Sequence, residues 1–210
     1  MSGSTDHEAW SDEALFAAWA DQQDSRAGER LFHRYFPKIL QFFRNRLGDD
    51  VQDLVQATFL ACVEARARFQ GRSSFKGFLY GIARNQFLKE LTRKYKRRSV
   101  DAAVTSLHDL GPTPSYVVDR REERELVLMA LQRIPIDSQI ALELYYLEGL
   151  SGPEVAEALE IGQPAVRGRL RRALGYVREQ LEQLATTPAL RAASLQTIEA
   201  WARSLPGTPE

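Results

Sequence analysis

The amino-acid pattern predicts an all-α protein: two helical domains joined by a flexible linker, the second a four-helix domain containing a helix-turn-helix. Three observations carry this prediction. Apolar residues recur at spacings of three and four along most of the chain, no stretch alternates as a strand would, and one breaker-rich stretch divides the helical pattern near its middle. With 210 residues, 44% of them hydrophobic and 27% charged, the chain has apolar material for one large core or two small ones. The composition points to neither a disordered nor a membrane-spanning class.

Residues 1–11 read as a tail and 12–98 as the first domain. Leu15, Phe16 and Trp19 mark its opening helix. A second stripe follows in Leu31, Phe32, Tyr35, Phe36, Ile39, Leu40, Phe43 and Leu47, and Pro37, lacking an N–H, is expected to kink or divide it. Gly48 suits the end of that helix, and Asp49 or Asp50 is expected to cap the next. There Val51, Leu54, Val55, Phe59, Cys62 and Val63 share a face. Cys62, the single cysteine, therefore reads as a small core residue, and no intramolecular disulfide is possible. Gly71 marks a loop before a last helix built on Phe75, Phe78, Leu79, Ile82, Leu88, Leu91 and Tyr95.

Residues 99–120 change character: Gly111-Pro112-Thr113-Pro114 is a breaker cluster in small and polar surroundings, which makes this stretch the linker. The second domain spans 121–184. Leu126, Ala130, Leu131 and Ile134 lie on its first helix, Pro135 breaks the pattern, and Ile140, Leu144 and Leu147 continue it. Ser151 and Glu154 have the spacing of a capping box, with Pro153 in the first turn and Val155, Ala156 and Leu159 as the inner stripe. Ile161 and Gly162 are expected to make the turn. Pro164 then opens a long helix whose Val166, Leu170, Leu174, Val177, Leu181 and Leu184 face one way. Leu147, Leu150 and Val155 are assigned to packing. In the extension 185–210, Thr186-Thr187-Pro188 reads as a fresh helix start, and Leu190, Ile198, Trp201 and Leu205 line a face that packs on the second domain or on a partner.

Lys+Arg and Asp+Glu both number 28, so the formal net charge is zero and only the distribution informs. The start is acidic, through Asp6, Glu8, Asp12, Glu13, Asp21, Asp24 and Glu29, whereas Lys89 to Arg98 and Arg167 to Arg178 are strongly basic. Arg167, Arg169, Arg171, Arg172 and Arg178 repel one another on one helix, and phosphates would relieve that repulsion. A plain solvated face is the other reading; the capped helix and tight turn in front favour a helix presented to DNA. The loop Phe69-Gln70-Gly71-Arg72-Ser73-Ser74-Phe75 mixes rings, hydroxyls and cations as surfaces for unstacked bases do, although taken alone the residues favour Phe69 and Phe75 as core flanking an ordinary turn, with the basic tail a solvated helix end. No nucleophile stands beside a base, no glycine-rich loop suits phosphate and no paired carboxylates mark a cleft, so an enzyme is not expected. His7, His33 and His108 lack partners at metal-ligand spacing, and no metal or cofactor is expected. No basic segment followed by an apolar run begins the chain and no window reaches the length of a membrane span. The expected compartment is the cytoplasm, without direct membrane insertion.

Asp53-Leu54-Val55-Gln56-Ala57-Thr58-Phe59-Leu60, then Ile82-Ala83-Arg84-Asn85, then Gly149-Leu150-Ser151 with Val155-Ala156, and finally Val166-Arg167-Gly168-Arg169-Leu170-Arg171-Arg172-Ala173 carry a resemblance. In that order and spacing they resemble the extracytoplasmic-function group of sigma-70 family RNA polymerase sigma factors. The likeness runs from Asp12 to Leu184 and leaves the start and the stretch from Ala185 uncovered. It implies a promoter-specificity subunit that melts the −10 element. Its partners would be the bacterial RNA polymerase core, promoter DNA, and an anti-sigma factor or other regulator. Residues 12–98 would be sigma region 2 and 121–184 sigma region 4.

By position, Asp50, Asp53 and Gln56 fall on the helix that such proteins dock on the polymerase clamp helices; helix capping by the two aspartates is a local alternative that can coexist, and Phe59 reads as core. Phe69, Arg72, Ser73, Ser74 and Lys76 fall in the segment that captures an extruded −10 base, and Arg84, Asn85, Lys89, Arg93 and Lys94 on the helix beside the −10 DNA. Gln163, Arg167, Arg169, Arg171 and Arg172 come nearest the −35 element, Gln163 and Arg167 at base edges and Arg171 and Arg172 at phosphates, while the domain docks on the polymerase flap. The linker would thread the active-site and RNA-exit channel. Phe78 stands where the family usually has tryptophan and Gly81 where it has a basic residue. Gly162, Pro164, Ala165 and Gly168 replace the commoner Ser, Gly, Thr and Ser, which removes hydroxyls suited to phosphate. The competing reading is a two-domain helix-turn-helix transcription regulator whose first domain senses a signal.

Overall fold

The computed structural model describes residues 10–66, 74–98 and 122–203. The chain forms two compact units that divide between Arg97 and Arg98. Among the described residues no strand occurs, and the regular elements are helices and turns.

The first unit comprises α1 (Asp12–Asp21), α2 (Ser25–Leu47), α3 (Gln52–Ala65) and α4 (Phe75–Arg98). Ser11 starts α1 by accepting the Ala14 N–H at 3.2 Å, and Asp24 starts α2 by accepting from Arg26 and Ala27 at 3.0 and 3.4 Å. Contrary to expectation, Pro37 does not divide α2, which runs unbroken from Ser25 to Leu47. Pro37 lies on the exposed face, where water can replace the lost N–H donor, while Tyr35 and Ile39 remain buried on the other side. Gly48, at φ 92°, ends the helix as the pattern predicts.

The core of this unit is aromatic. Phe16 and Tyr35 meet Phe75 at ring separations of 5.3 and 5.4 Å and Phe42 meets Tyr80 at 5.8 Å, so α4 is held to both α1 and α2. Arg34 and Tyr35 both donate to the Asp12 carboxylate, fastening the start of α1 to α2. Burial, and then Asp12, raise the Tyr35 phenol above its ordinary range. Phe42 and Arg46, which the sequence pattern does not single out, are both buried. The Arg46 guanidinium lies 4.1 Å over the Phe42 ring and donates to the Phe42 carbonyl at 2.7 Å.

The second unit comprises α5 (Glu122–Gln132), α6 (Ile136–Leu142), a π turn (Glu143–Leu147), α7 (Gly152–Ala158), α8 (Gln163–Leu184) and α9 (Pro188–Arg203). Helix α8 is its hub: α5, α6, α7 and α9 each pack on it. The predicted stripe holds, with Val166, Leu170, Leu174, Val177 and Leu181 buried. Helix spacing does not anticipate the π turn, in which the Glu148 N–H reaches the Glu143 carbonyl at 2.9 Å. The wider turn shifts the phase of the chain, so Leu144 and Leu150 are buried while Leu147, expected to pack, is 58% exposed. Helix α9 begins where predicted, the Thr187 hydroxyl accepting from Leu190 at 3.2 Å, and packs on α5 and α8 with Ile198 fully buried. The linker, Leu205 and the Trp201 side chain lie outside the described residues.

Candidate nucleic-acid interface

The α7–α8 corner begins with the predicted capping box, in which the Ser151 N–H donates to Glu154 Oε2 at 2.6 Å. Its turn differs from expectation. Glu160, at φ 54°, adopts the left-handed conformation, while Gly162 has ordinary extended backbone and serves as the N-cap of α8. The Ile161 N–H reaches the Ala156 carbonyl and the Glu160 N–H the Glu157 carbonyl, both at 2.9 Å. These two bonds make a Schellman ending with glutamate in the place usually taken by glycine. The turn therefore stops α7 sharply and launches α8 with Pro164 in its first turn.

On α8, Gln163, Arg167, Arg171 and Arg172 are all exposed, away from the apolar seam. A Cβ at Gly168 would meet nothing within 4 Å, so this outer face is smooth as well as cationic. Arg169 is placed differently. It stands on the other flank of the seam, 27% exposed, and its Nη1 lies 3.1 Å from Asp137 Oδ2 in the first turn of α6.

Helix α4 supplies the second cationic surface. Ser74 caps it, the Oγ accepting from Gly77 N at 3.1 Å, so this hydroxyl holds a helix start. Lys76, Arg84 and Asn85 are half-buried, and Lys89, Arg93 and Lys94 are exposed. Glu90, its side chain only 11% exposed, accepts two hydrogen bonds from Arg93 at 2.7 and 2.8 Å and has Lys94 Nζ at 4.0 Å. That bidentate bond raises the Arg93 pKa further. Phe69, Arg72 and Ser73 lie outside the described residues.

A third surface is carried by α3. Asp53, Gln56 and Leu60 are exposed and fall on one stripe, with exposed Asp50 just before the helix, while Val55, Phe59 and Cys62 face inward. Neither Asp49 nor Asp50 caps α3, contrary to expectation. Val51 occupies that position, its N–H bonded to Gln52 Oε1 at 3.1 Å, and Asp49 instead meets Arg44 Nε at 3.4 Å. Phe36, expected in the core, is 49% exposed and lies flat against Phe59 at 6.2 Å. The Phe59 ring fills the inner position, which leaves Phe36 on the rim of a groove of about 690 Å³ between α1, α2 and α3. Among the described residues no helix is long and apolar enough to cross a membrane, and no group of three or more His, Cys, Asp or Glu is placed to hold a metal ion.

Residues 31–97 match the family model "Sigma-70 region 2" and residues 124–177 match "Sigma-70, region 4". The RNA polymerase sigma-H factor of Pseudomonas aeruginosa is 32% identical over 174 residues, 77% of this chain and 89% of that protein. The ECF RNA polymerase sigma-E factor of Haemophilus influenzae is 28% identical over 187 residues, 84% of this chain and 98% of that one. The chain belongs to the extracytoplasmic-function sigma factors of the sigma-70 family. The probable RNA polymerase sigma factor RfaY of Xanthomonas campestris shares 32% identity over 137 residues, 63% of this chain but only 34% of the length of that protein. Among solved structures, CnrH in complex with the cytosolic domain of CnrY superposes with a TM-score of 0.56 and 25% identity over 81% of this chain and 97% of that one.

In this sigma factor, several residues that shape the surfaces escape the sequence reading. Glu90 could have been found, because its spacing of three and four to Arg93 and Lys94 is that of helix ion pairs. Asp137 could not, since it lies 32 positions before its arginine. The exposure of Phe36 has no local signature, as it fits the helical apolar pattern and only the packing of α2 on α3 decides which ring is covered, whereas Leu60 falls on the polar stripe of Asp53 and Gln56 and could have been found.

Proposed function

We propose that this sigma factor directs core RNA polymerase to its promoters through three surfaces and melts the −10 element by binding energy alone. The outer stripe of α3, with Asp50, Asp53 and Gln56, docks on the clamp helices of the polymerase; its exposure and the adjoining Leu60 and Phe36 support this reading. Arg84, Asn85, Lys89, Arg93 and Lys94 of α4, with Lys76 and the loop residues Phe69, Arg72, Ser73 and Ser74, hold the −10 DNA. Flipping a base costs a few kcal/mol, and stacking on an aromatic surface returns about 1–3 kcal/mol per base, so cationic contacts to the freed strand tip the balance. Gln163 and Arg167 read base edges of the −35 element while Arg171 and Arg172 neutralise phosphates. Residues 12–98 thus act as region 2 and 121–184 as region 4, the latter also meeting the polymerase flap.

One observation carries the proposal furthest. Helix α8 is gripped by four neighbouring helices and turns an arginine-bearing face, free of acidic side chains from Gln163 to Arg178, outward. A protein regulator is the further partner. CnrH is solved in complex with the cytosolic domain of CnrY; for the present chain, an anti-sigma factor would act in the cytoplasm by covering the polymerase-facing surfaces.

Run-off transcription from a promoter library tests the proposal. Specific initiation is expected only with the full chain and core polymerase together, and it should fall at least tenfold with Asp53→Ala/Gln56→Ala or with Arg167→Ala/Arg171→Ala. Absence of initiation from every promoter, combined with specific DNA binding by the chain alone, would replace this reading with that of a two-domain regulator.

A further inference from the structure

We infer that Asp137 is a counter-charge to the recognition helix: it withdraws Arg169 from the DNA-facing set, so that α8 engages duplex DNA with the remaining arginines only. The inference rests on the reading of α8 as the −35 helix. It starts from helix geometry. At 3.6 residues per turn, Arg169 points about 200° away from Arg167 and from Arg171, whereas those two, four residues apart, share a side. The buried seam of Val166, Leu170, Ala173 and Val177 runs between the two flanks. Arg169 lies only about 60° from the phosphate-facing Arg172, within reach of that edge of the face, yet its guanidinium is turned toward α6 and meets the Asp137 carboxylate at 3.1 Å. Asp137 lies in the first turn of α6, where the helix dipole favours a negative charge.

The pair is half-exposed, and pairs of that kind contribute little to stability. Packing of α6 on α8 holds the two helices together, and the pair's effect falls on charge rather than on folding. Asp137 keeps one cation from grasping phosphates of any sequence. Asp137 is thus a positioning residue that acts through Arg169 to limit non-specific affinity.

Affinity of the full chain for a 30-base-pair duplex of random sequence, measured by fluorescence anisotropy across a potassium chloride series, tests this. Each phosphate contact steepens the dependence of log K on log salt by about 0.9, which corresponds to about eightfold tighter binding at 0.1 M salt. Asp137→Asn is expected to steepen the slope by about that amount with unchanged thermal melting. Asp137→Glu, which keeps the charge, should behave as the parent, and adding Arg169→Ala to Asp137→Asn should restore the parental slope. Arg169→Ala alone should leave the slope as it is, while Arg171→Ala should lower it by about 0.9. An unchanged slope in Asp137→Asn, or a loss in Arg169→Ala equal to that in Arg171→Ala, overturns the inference. If Arg171→Ala has no effect either, the DNA reading of α8 fails and takes the inference with it.

Discussion

Replacing Gly28 by alanine is expected to loosen the first unit, because the indole of Trp19 rests directly on that glycine. A Cβ at Gly28 would lie 2.6 Å from both Cδ1 and Nε1 of Trp19 and 2.9 Å from Cε2. Carbon atoms are at ease at about 3.5–4.0 Å, so ring and backbone must part by about 1 Å. The ring can yield only toward the groove between α1, α2 and α3, which it lines. It is 5% exposed, edge-on to Phe16 and Phe32 at 5.8 and 5.3 Å, and covered by the Arg66 guanidinium at 5.2 Å. Overpacking of this kind costs about 1–3 kcal/mol, whereas alanine in a helix interior is favoured over glycine by about 1 kcal/mol. The net loss centres on about 1 kcal/mol, which in a domain of this size lowers the melting temperature by about 4–8 °C. Thermal unfolding of the full chain followed by near-ultraviolet circular dichroism, which reports on the packed rings, measures it. A double-mutant cycle isolates the contact: in a Trp19→Leu background the same Gly28→Ala change should stabilise. A Gly28→Ala protein as stable as the parent, or effects that add within about 0.3 kcal/mol, would refute the reasoning.

Three further outcomes are expected. Burial pushes the Cys62 thiol from its ordinary 9.0 up to about 12, so the stability it lends is intact below pH 9.0 and is withdrawn as pH rises toward 12; native protein at neutral pH should resist Ellman's reagent and react fully in urea, and rapid native labelling would contradict this. Glu160→Gly should raise the midpoint of urea unfolding, because a left-handed conformation costs an L-residue about 1–2 kcal/mol and the greater unfolded freedom of glycine takes back about 0.4–1 kcal/mol; a lower midpoint counts against the Schellman ending. Ile198→Ala should destabilise the second unit by about 2–5 kcal/mol if α9 belongs to its core, and a change below about 0.5 kcal/mol in urea unfolding would show that α9 is a loose appendage.

Periodicity alone placed most of the helices, because each buries a stripe that 3.6-residue spacing writes into the chain: Leu15, Phe16 and Trp19 on α1, Val166, Leu170 and Val177 on α8. It failed where a decision depends on another element. Pro37 is tolerated because α2 presents it to water, Phe36 is displaced because Phe59 already occupies the inner position, and Leu147 is turned out by a π turn that no local residue announces. Local preference points to Ile161 and Gly162 for the turn before α8, yet the left-handed residue is Glu160. Here tertiary packing of α7 on α8 outweighs the local preference for glycine. For the candidate surfaces, the exposed arginines of α8 were legible from the amphipathic pattern. Asp137, the carboxylate that restrains Arg169, was not, since a charge on another helix leaves no trace in the spacing of the first.

Asp137 and Glu90 bear on how a small sigma factor avoids being absorbed by bulk DNA. A genome offers about 10⁶–10⁹ competing sites, and each unrestrained phosphate contact multiplies affinity for all of them equally. A helix with every arginine free would gain grip and lose discrimination in the same step. Glu90 holds Arg93 in a bidentate bond on α4 and Asp137 holds Arg169 on α8, so each cationic helix carries its own partial neutralisation. Under the proposed function, neither unit by itself then binds DNA tightly. Promoter affinity arises when the polymerase holds both units at once, since tethering converts the second contact into an intramolecular one. In that arrangement weak halves are an advantage, because the product of two modest affinities is realised only on a template that carries both elements.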